Sequence, residues 1–105
     1  MIQVSVTKEN NVIDSVCIKG HSGYGHVGND IVCASVSSIV ITTVNALIRL
    51  EKEVDCKEAD GFVSIKLLNH DPVMDMLLAN MLDLLEELEE QYKDYIKINK
   101  EVSSC

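Results

Sequence analysis

Residues 20–38 of the chain read GHSGYGHVGNDIVCASVSS, and this stretch predicts where the fold changes from strands to a helix. Its first half contains Gly23, Gly25 and Gly28. Glycine in the interior of a helix or strand is destabilising by roughly 0.5–1 kcal/mol relative to Ala, so a loop is predicted here. The second half is apolar and follows Asp30, a residue type preferred at helix N-caps. We therefore predict a helix over residues 31–50.

This predicted helix is apolar on nearly all of its sides. A helix of that kind is normally buried on more than one side. Many of its residues are β-branched and only moderate helix formers, so its length and N-cap favour the helix more than its propensity does. We expect its sides to be covered either by the second helix or by another subunit.

Two predicted strands precede the loop, at residues 1–7 and 12–19. Apolar and polar residues alternate in them, which is typical of half-buried strands. Asn10 and Asn11 between them predict a hairpin turn. The residues predicted to face the core are Ile2, Val4 and Val6 in the first strand and Val12, Val16 and Ile18 in the second, where Asp14 interrupts the apolar face.

Two further strands are predicted after the apolar helix, at residues 54–59 and 62–68. They flank Asp60 and Gly61, a pair that favours a tight hairpin turn. A last edge strand is predicted over residues 95–102.

A second helix is predicted from the Asp71-Pro72 pair to about Tyr92, because Asp is a preferred N-cap and Pro is preferred at the first helical position. The resulting order is β-β-α-β-β-α-β. We predict a single α+β domain over residues 1–105, with an antiparallel or mixed sheet, two helices packed on it and a frayed tail at residues 103–105. The apolar stripe of the second helix is Met74, Leu77, Leu78, Met81, Leu85, Leu88 and Tyr92.

Composition excludes several classes of protein. The 105 residues carry a formal net charge of −8, and the nine Lys and Arg residues are scattered, so direct binding to nucleic acid is not predicted. The longest apolar stretch is interrupted by Ser, Thr and Asn, and no secretion leader is recognised, so we expect neither a membrane span nor export. The four Cys residues have no framework spacing, which favours free thiols in the cytoplasm.

Cys33 and His21 are the candidate catalytic pair. Cys33 falls in the first turn of the predicted helix, where unpaired N–H groups favour a thiolate. A lone Cys in an apolar helix is more often a buried hydrophobe. His21 changes this interpretation, because it ends a predicted strand and the glycine loop can fold it over the helix start. A Cys–His pair attacks a carbonyl carbon and then protonates the leaving amine.

Three neighbouring features have two interpretations each. Asp30 either caps the helix or orients His21, and in the second case Asn29 takes the cap. Ser37, one turn after Cys33 on the same face, either supports the site or fills a packing contact. The glycines form either an ordinary tight loop or a lid over a bound peptide with N–H groups for an oxyanion.

Residues 20–24 (GHSGY), residues 28–34 (GNDIVCA) and Ser37 closely resemble the motif of the ribosomal-processing cysteine protease family (Prp) of Firmicutes and related bacteria. The resemblance extends over nearly the whole chain, including the ending at residues 95–98. It implies a homodimeric cysteine endopeptidase with a Cys–His dyad, and we expect no cofactor or metal. Its implied substrate is the short N-terminal extension of a large-subunit ribosomal protein, cleaved after a hydrophobic residue and before a small one.

The resemblance also implies residue roles. Cys33 is the nucleophile and His21 is the general base and acid, with Gly20, Asp30 and Ser37 as supporting residues. A mobile loop that orders over the substrate peptide consists of Ser22, Gly23, Tyr24, Gly25, His26, Val27, Gly28 and Asn29. The chain departs from the family pattern at Ser22, where Ala is common, and at the variable His26-Val27 pair.

Two alternatives come from other classes of protein. A zinc site would use His21, His26, Asp30 and Cys33, although their spacing is not that of a familiar zinc knuckle. A non-catalytic ribosome-assembly module would bind a basic ribosomal tail with its acidic surface. Independent support for a homodimer comes from the apolar first helix and from the apolar surface that Leu82 and Leu84 add to the second helix.

Overall fold

Five strands and two helices are present in the computed structural model, which describes residues 1–26 and 30–100. Their order confirms the predicted β-β-α-β-β-α-β arrangement. The frayed tail and the end of the last strand, predicted at residues 101–105, lie outside the described part of the chain. The elements are β1 (Ile2–Glu9), β2 (Val12–Lys19), α1 (Ile31–Arg49), β3 (Val54–Ala59), β4 (Phe62–Leu67), α2 (Pro72–Gln91) and β5 (Ile96–Lys100).

The strands form one mixed sheet in the order β3-β4-β2-β1-β5. The pairs β1–β2, β2–β4 and β3–β4 are antiparallel, whereas β1 and β5 are parallel. Alternate residues of these strands, including Val4, Val16 and Ile65, share one hydrophobic core with the buried sides of α1 and α2. Both helices therefore cover the same face of the sheet. The two outermost strands of the sheet are β3 and β5.

A β-bulge overturns one predicted facing pattern in β2. Thr7 pairs with Ser15 and Lys8 pairs with Ile13, so Asp14 is an extra residue on its strand. The extra residue shifts the alternation by one position. Ile13 is consequently buried with 4% of its surface exposed, and Val12, which was predicted to face the core, is only half-buried.

The bulged Asp14 belongs to a charged network that joins β2, β4 and the start of α2. Its carboxylate accepts a hydrogen bond from Lys66 Nζ at 2.7 Å and lies 3.1 Å from His70 Nε2. The other ring nitrogen of His70 lies 3.1 Å from Asp75 Oδ1. The hydrogen bonds to Asp75 and Asp14 raise the pKa of His70 above its ordinary value of 6.5.

This raised pKa predicts a pH-dependent contribution of His70 to stability. Protonated His70 is stabilised only in the folded chain, so its contribution is fully present below pH 6.5 and is lost as the pH rises through the folded-state pKa. We expect the difference in free energy of unfolding between wild type and His70→Gln to shrink between about pH 6 and about pH 9. Urea unfolding at both pH values measures it. His26→Gln, in the exposed loop, is the control, and a His70→Gln difference that does not change with pH would contradict the prediction.

The chain itself buries only part of α1, so the predicted cover of its other sides by another subunit stays a prediction. The exposed fractions of Ile31, Ile41 and Ile48 are 50%, 52% and 58%. Among the described residues, α1 is the one helix whose length and mean hydropathy of 2.1 would suffice to cross a membrane, a test that core helices of soluble proteins also pass. Its inward side is packed, with Val32, Val36, Val40, Thr43 and Leu47 buried.

The predicted start of α2 is confirmed. The Asp71 side chain accepts a hydrogen bond from the N–H of Met74 at 2.8 Å, and Pro72 occupies the first helical position. Leu82, predicted to add surface for a dimer, is instead buried in the core with 6% exposed, because α1 and the sheet cover a wider side of α2 than the predicted stripe. Leu84 remains 40% exposed.

Candidate active site

His21 lies just past the end of β2, where Gly20 turns the chain. Gly20 has a φ of +92°, and a Cβ at this position would lie 2.8 Å from the carbonyl oxygen of Met1. Both facts require glycine there. The N–H of Gly20 donates to the carbonyl of Gly61 at 2.8 Å, which ties the end of β2 to the β3–β4 turn. The imidazole of His21 is thereby held next to the end of the central strand β2, with 62% of its side chain exposed.

Cys33 lies in the first turn of α1 and is half-buried. Asp30 is the N-cap of the helix, and its Oδ1 accepts hydrogen bonds from the N–H groups of Val32 and Cys33, both at 3.0 Å. The N–H of Ser22 donates to the sulfur of Cys33 at 3.4 Å. The sulfur therefore faces a main-chain donor from the loop as well as the start of the helix.

Asp30 also fastens the loop to the helix. Its Oδ2 accepts hydrogen bonds from the hydroxyl of Ser22 and, at 3.3 Å, from the N–H of Gly25. Burial alone would raise the pKa of Asp30, but the hydrogen bonds from Ser22, Cys33, Gly25 and Val32 outweigh it and lower the pKa to about 2. Of the two predicted roles the structure shows the cap, and no hydrogen bond among the described residues joins Asp30 to His21.

A different carboxylate faces His21. The Oδ1 atom of Asp60, in the turn between β3 and β4, lies 3.9 Å from His21 Nε2. A Cβ at the neighbouring Gly61 would lie 3.0 Å from the same nitrogen, and Gly61 has a φ of +66°. Asp60 was predicted only as a turn residue, since nothing in the sequence pairs it with a residue at the end of β2.

One cavity of about 950 Å³ lies between α1 and the β3–β4 hairpin. Gly20, His21, Cys33 and Ser37 all line it, so the structure brings four of the five predicted catalytic and supporting residues to one cavity. The fifth, Asp30, lies behind it at the helix start. The remaining polar and ionisable lining residues are Asn45, Cys56, Glu58 and Asp60, and sequence reasoning assigned none of them to the site.

The described residues of the predicted substrate loop, Ser22 to His26, do not themselves line this cavity. Ser22 is buried with 3% exposed, and its hydroxyl accepts a hydrogen bond from the N–H of Tyr24 at 3.0 Å. The Tyr24 ring makes edge-to-face contacts with Tyr92 and Tyr95, with centroids 5.4 and 5.0 Å apart. Gly23, Gly25 and His26 are exposed. The predictions for Val27, Gly28 and Asn29 lie outside the described residues.

The zinc alternative has no ligand cluster in the described residues. Within residues 1–26 and 30–100, no three His, Cys, Asp or Glu side chains come close enough to hold a metal ion. What the cavity presents is a half-buried thiol at a capped helix N-terminus and an imidazole that lines the same cavity. These groups are suited to nucleophilic attack on a carbonyl and to proton transfer.

Comparison with known proteins points to the same chemistry. The family model described as cysteine protease Prp matches residues 1–97. The ribosomal processing cysteine protease Prp of Staphylococcus aureus strain Mu50 is 33% identical over 103 residues, which cover 93% of this chain and 95% of that protein.

Two solved structures are also similar. A crystal structure of the essential ribosomal processing protease Prp from Staphylococcus aureus with a covalently linked product peptide has a TM-score of 0.91 and 31% identity, over 95% of this chain and 99% of that one. A structure of the Staphylococcus aureus protease with a substrate peptide has a TM-score of 0.85 and 30% identity over the same shares of the two chains.

Proposed function

The chain belongs to the Prp family of cysteine proteases, and we propose that it removes the short N-terminal extension of a large-subunit ribosomal protein by means of Cys33 and His21. The observation that carries this proposal is the meeting of both side chains in one cavity, with Cys33 at a capped helix N-terminus. The similar Staphylococcus aureus protease has been crystallised with substrate and product peptides, which supports a peptide as the ligand of this cavity.

The proposed reaction begins when His21 takes the thiol proton and the Cys33 sulfur attacks the scissile carbonyl carbon. The carbonyl electrons move to oxygen and return as the C–N bond breaks, and His21 gives its proton to the leaving amine. Water, deprotonated by His21, then hydrolyses the thioester and releases the acid and the Cys33 thiol. This sequence uses one imidazole first as a base and then as an acid.

Ser22 supplies the main-chain donor best placed for the oxyanion. The N–H groups of Val32 and Cys33, at the helix start, already donate to Asp30. The N–H of Ser22 instead faces the sulfur at 3.4 Å. We propose that it donates to the oxyanion that forms next to the sulfur, since preorganised donors at that position stabilise the transition state.

Incubation with the precursor ribosomal protein tests the proposed function. We expect intact-mass spectrometry to show the loss of a short N-terminal peptide and a matching increase in the shortened protein. Binding of the precursor without any product would refute the protease and favour the assembly-module alternative. The substrate is a component of the ribosome, so we also propose a cytoplasmic location, with no direct contact to nucleic acid or membrane.

We further propose a homodimer that covers the apolar part of α1. Ile41 and Ile48 are 52% and 58% exposed and line the same cavity as Cys33. By helix rise they lie about 12 and about 22 Å along α1 from Cys33. A second copy on these two residues leaves the end of the cavity at Cys33 open to a peptide.

A charge in this apolar part of α1 is expected to separate the two copies. Ile48→Glu places a carboxylate where the dimer buries apolar surface, an arrangement that costs several kcal/mol unless the charge is paired. Sedimentation at dilute concentration should give the mass of two chains for wild type and of one chain for Ile48→Glu. Met76→Glu is the matched control, since Met76 is 63% exposed on α2 and outside the cavity. A wild-type chain that sediments as one copy would contradict the dimer.

A further inference from the structure

The β3–β4 turn is built closely around the imidazole of His21. The carbonyl oxygen of Gly61 accepts a hydrogen bond from the N–H of Gly20 at 2.8 Å. This main-chain bond joins the turn to the residue before His21. Any side chain at Gly61 would meet the imidazole, since a Cβ there would lie only 3.0 Å from Nε2. Asp60 places its carboxylate 3.9 Å from that same nitrogen.

We propose that Asp60 is the positioning residue for His21, a role that rests on the proposed cleavage reaction. A Cys–His pair works best when a third group orients the imidazole and stabilises the imidazolium. Asp30 does not fill this role, because its two oxygens accept from four donors of the loop and the helix start. Asp60 is the carboxylate that forms an ion-pair contact with His21 in the described chain.

The proposed role also gives the two ring nitrogens different tasks. Asp60 faces Nε2, and the role places the proton of the neutral ring on this nitrogen. Nδ1 is then the nitrogen that takes the thiol proton from Cys33 and returns it to the leaving amine. Once Nδ1 is protonated, the positive charge of the ring lies next to the carboxylate of Asp60 and is stabilised by it.

Bound peptide makes this contact stronger. In the free protein 62% of the His21 side chain and 98% of the Asp60 side chain are exposed, and an ion pair in water contributes little. Both residues line the cavity, so a peptide lying in it covers them and excludes water. Electrostatic attraction increases as water is excluded. Asp60 therefore acts on the catalytic step. It has little effect on the stability of the fold or on the reactivity of Cys33 in the absence of a peptide.

Asp60→Asn tests this role, with Asp55→Asn as the matched control. Asp55 lies on the same hairpin and its replacement is the same change from Asp to Asn, but it lies outside the cavity and makes no ion pair with His21 in the described chain. Steady-state cleavage of the precursor gives kcat and KM. Alkylation by iodoacetamide gives the reactivity of Cys33 without a peptide, and thermal unfolding gives stability.

For Asp60→Asn we expect kcat to fall about 10-fold or more, in the range found when a group that orients a catalytic or metal-binding residue is removed. KM, the alkylation rate and the unfolding temperature should stay close to wild type. Asp60→Glu should recover part of kcat. The role is overturned if wild type cleaves and the kcat of Asp60→Asn stays within about twofold of the wild-type kcat, or if Asp55→Asn lowers kcat equally. Absence of cleavage by wild type would instead refute the proposed function and this role together.

Discussion

Cys33→Ala is expected to abolish removal of the N-terminal extension while leaving the chain folded. The substitution deletes the only atom that forms the acyl-enzyme, so the rate of cleavage should fall by about 10⁴-fold or more. Cys33 is half-buried at the edge of the cavity, so the loss of its sulfur opens no enclosed void in the core. A time course of intact mass, with wild type and variant at equal concentration, measures the effect.

Cys56→Ala is the matched control for the nucleophile. Cys56 is a second thiol on the wall of the same cavity and is exposed. Partial desolvation of the sulfur and the neighbouring charges of Glu58 and Asp55 raise the pKa of the Cys56 thiol, which disfavours the reactive thiolate. We expect Cys56→Ala to cleave at nearly the wild-type rate. Cleavage by Cys33→Ala, or its loss in Cys56→Ala, would show that Cys33 is not the nucleophile.

Asp30→Ala is expected to lower both stability and cleavage. The variant loses the N-cap of α1 and leaves the loop donors of Ser22 and Gly25 without their acceptor. Loss of an N-cap typically costs about 0.5–2 kcal/mol, and the unpaired donors place the expected loss at about 2 kcal/mol in the free energy of unfolding. Cleavage should fall as well, because Asp30 holds both Cys33 and the loop that faces it. Urea unfolding and the intact-mass assay measure the two effects.

The same variant should change the response to acid. The pKa of Asp30 is lowered from 3.8 to about 2, so its contribution to stability is present above the ordinary pKa and is lost as the pH falls through about 2. We expect wild type to lose more stability than Asp30→Ala across this acidic range. Equal acid sensitivity of the two proteins would contradict the assigned hydrogen bonds.

Asp71→Ala distinguishes the effect of losing a helix cap on stability from the effect of Asp30 on cleavage. Asp71 caps α2, where it accepts from Met74 and pairs with Lys52 at 2.8 Å, and it does not line the cavity. Its removal should cost about 1 kcal/mol of stability and leave cleavage unchanged. If Asp71→Ala lost as much cleavage as Asp30→Ala, the effect of Asp30 on the reaction would be one of stability alone.

Much of the fold was predictable because its signals are local. Strands β1 and β4 were predicted from the alternation of apolar and polar residues over a few positions. The starts of α1 and α2 were predicted from the N-cap residues Asp30 and Asp71. The prediction failed for Val12 in β2, because a bulge depends on how two strands pair and not on either strand alone. It failed for Leu82 because the width of a buried helix face depends on which elements pack against it.

By itself, the sequence determined the order of the elements and pointed to the two side chains that we propose react, since caps, glycines and periodicity act over a few neighbouring residues. It left open which carboxylate lies next to His21. The tertiary structure decided this. Asp30, which is close to His21 in sequence, accepts hydrogen bonds from the N–H groups at the helix start, whereas Asp60 lies 3.9 Å from the imidazole. Asp60 arrives there because β4 pairs with β2 and carries the β3–β4 turn to the end where His21 leaves the sheet. Pairing between distant strands depends on the whole core, so no local sequence pattern predicts which strands pair.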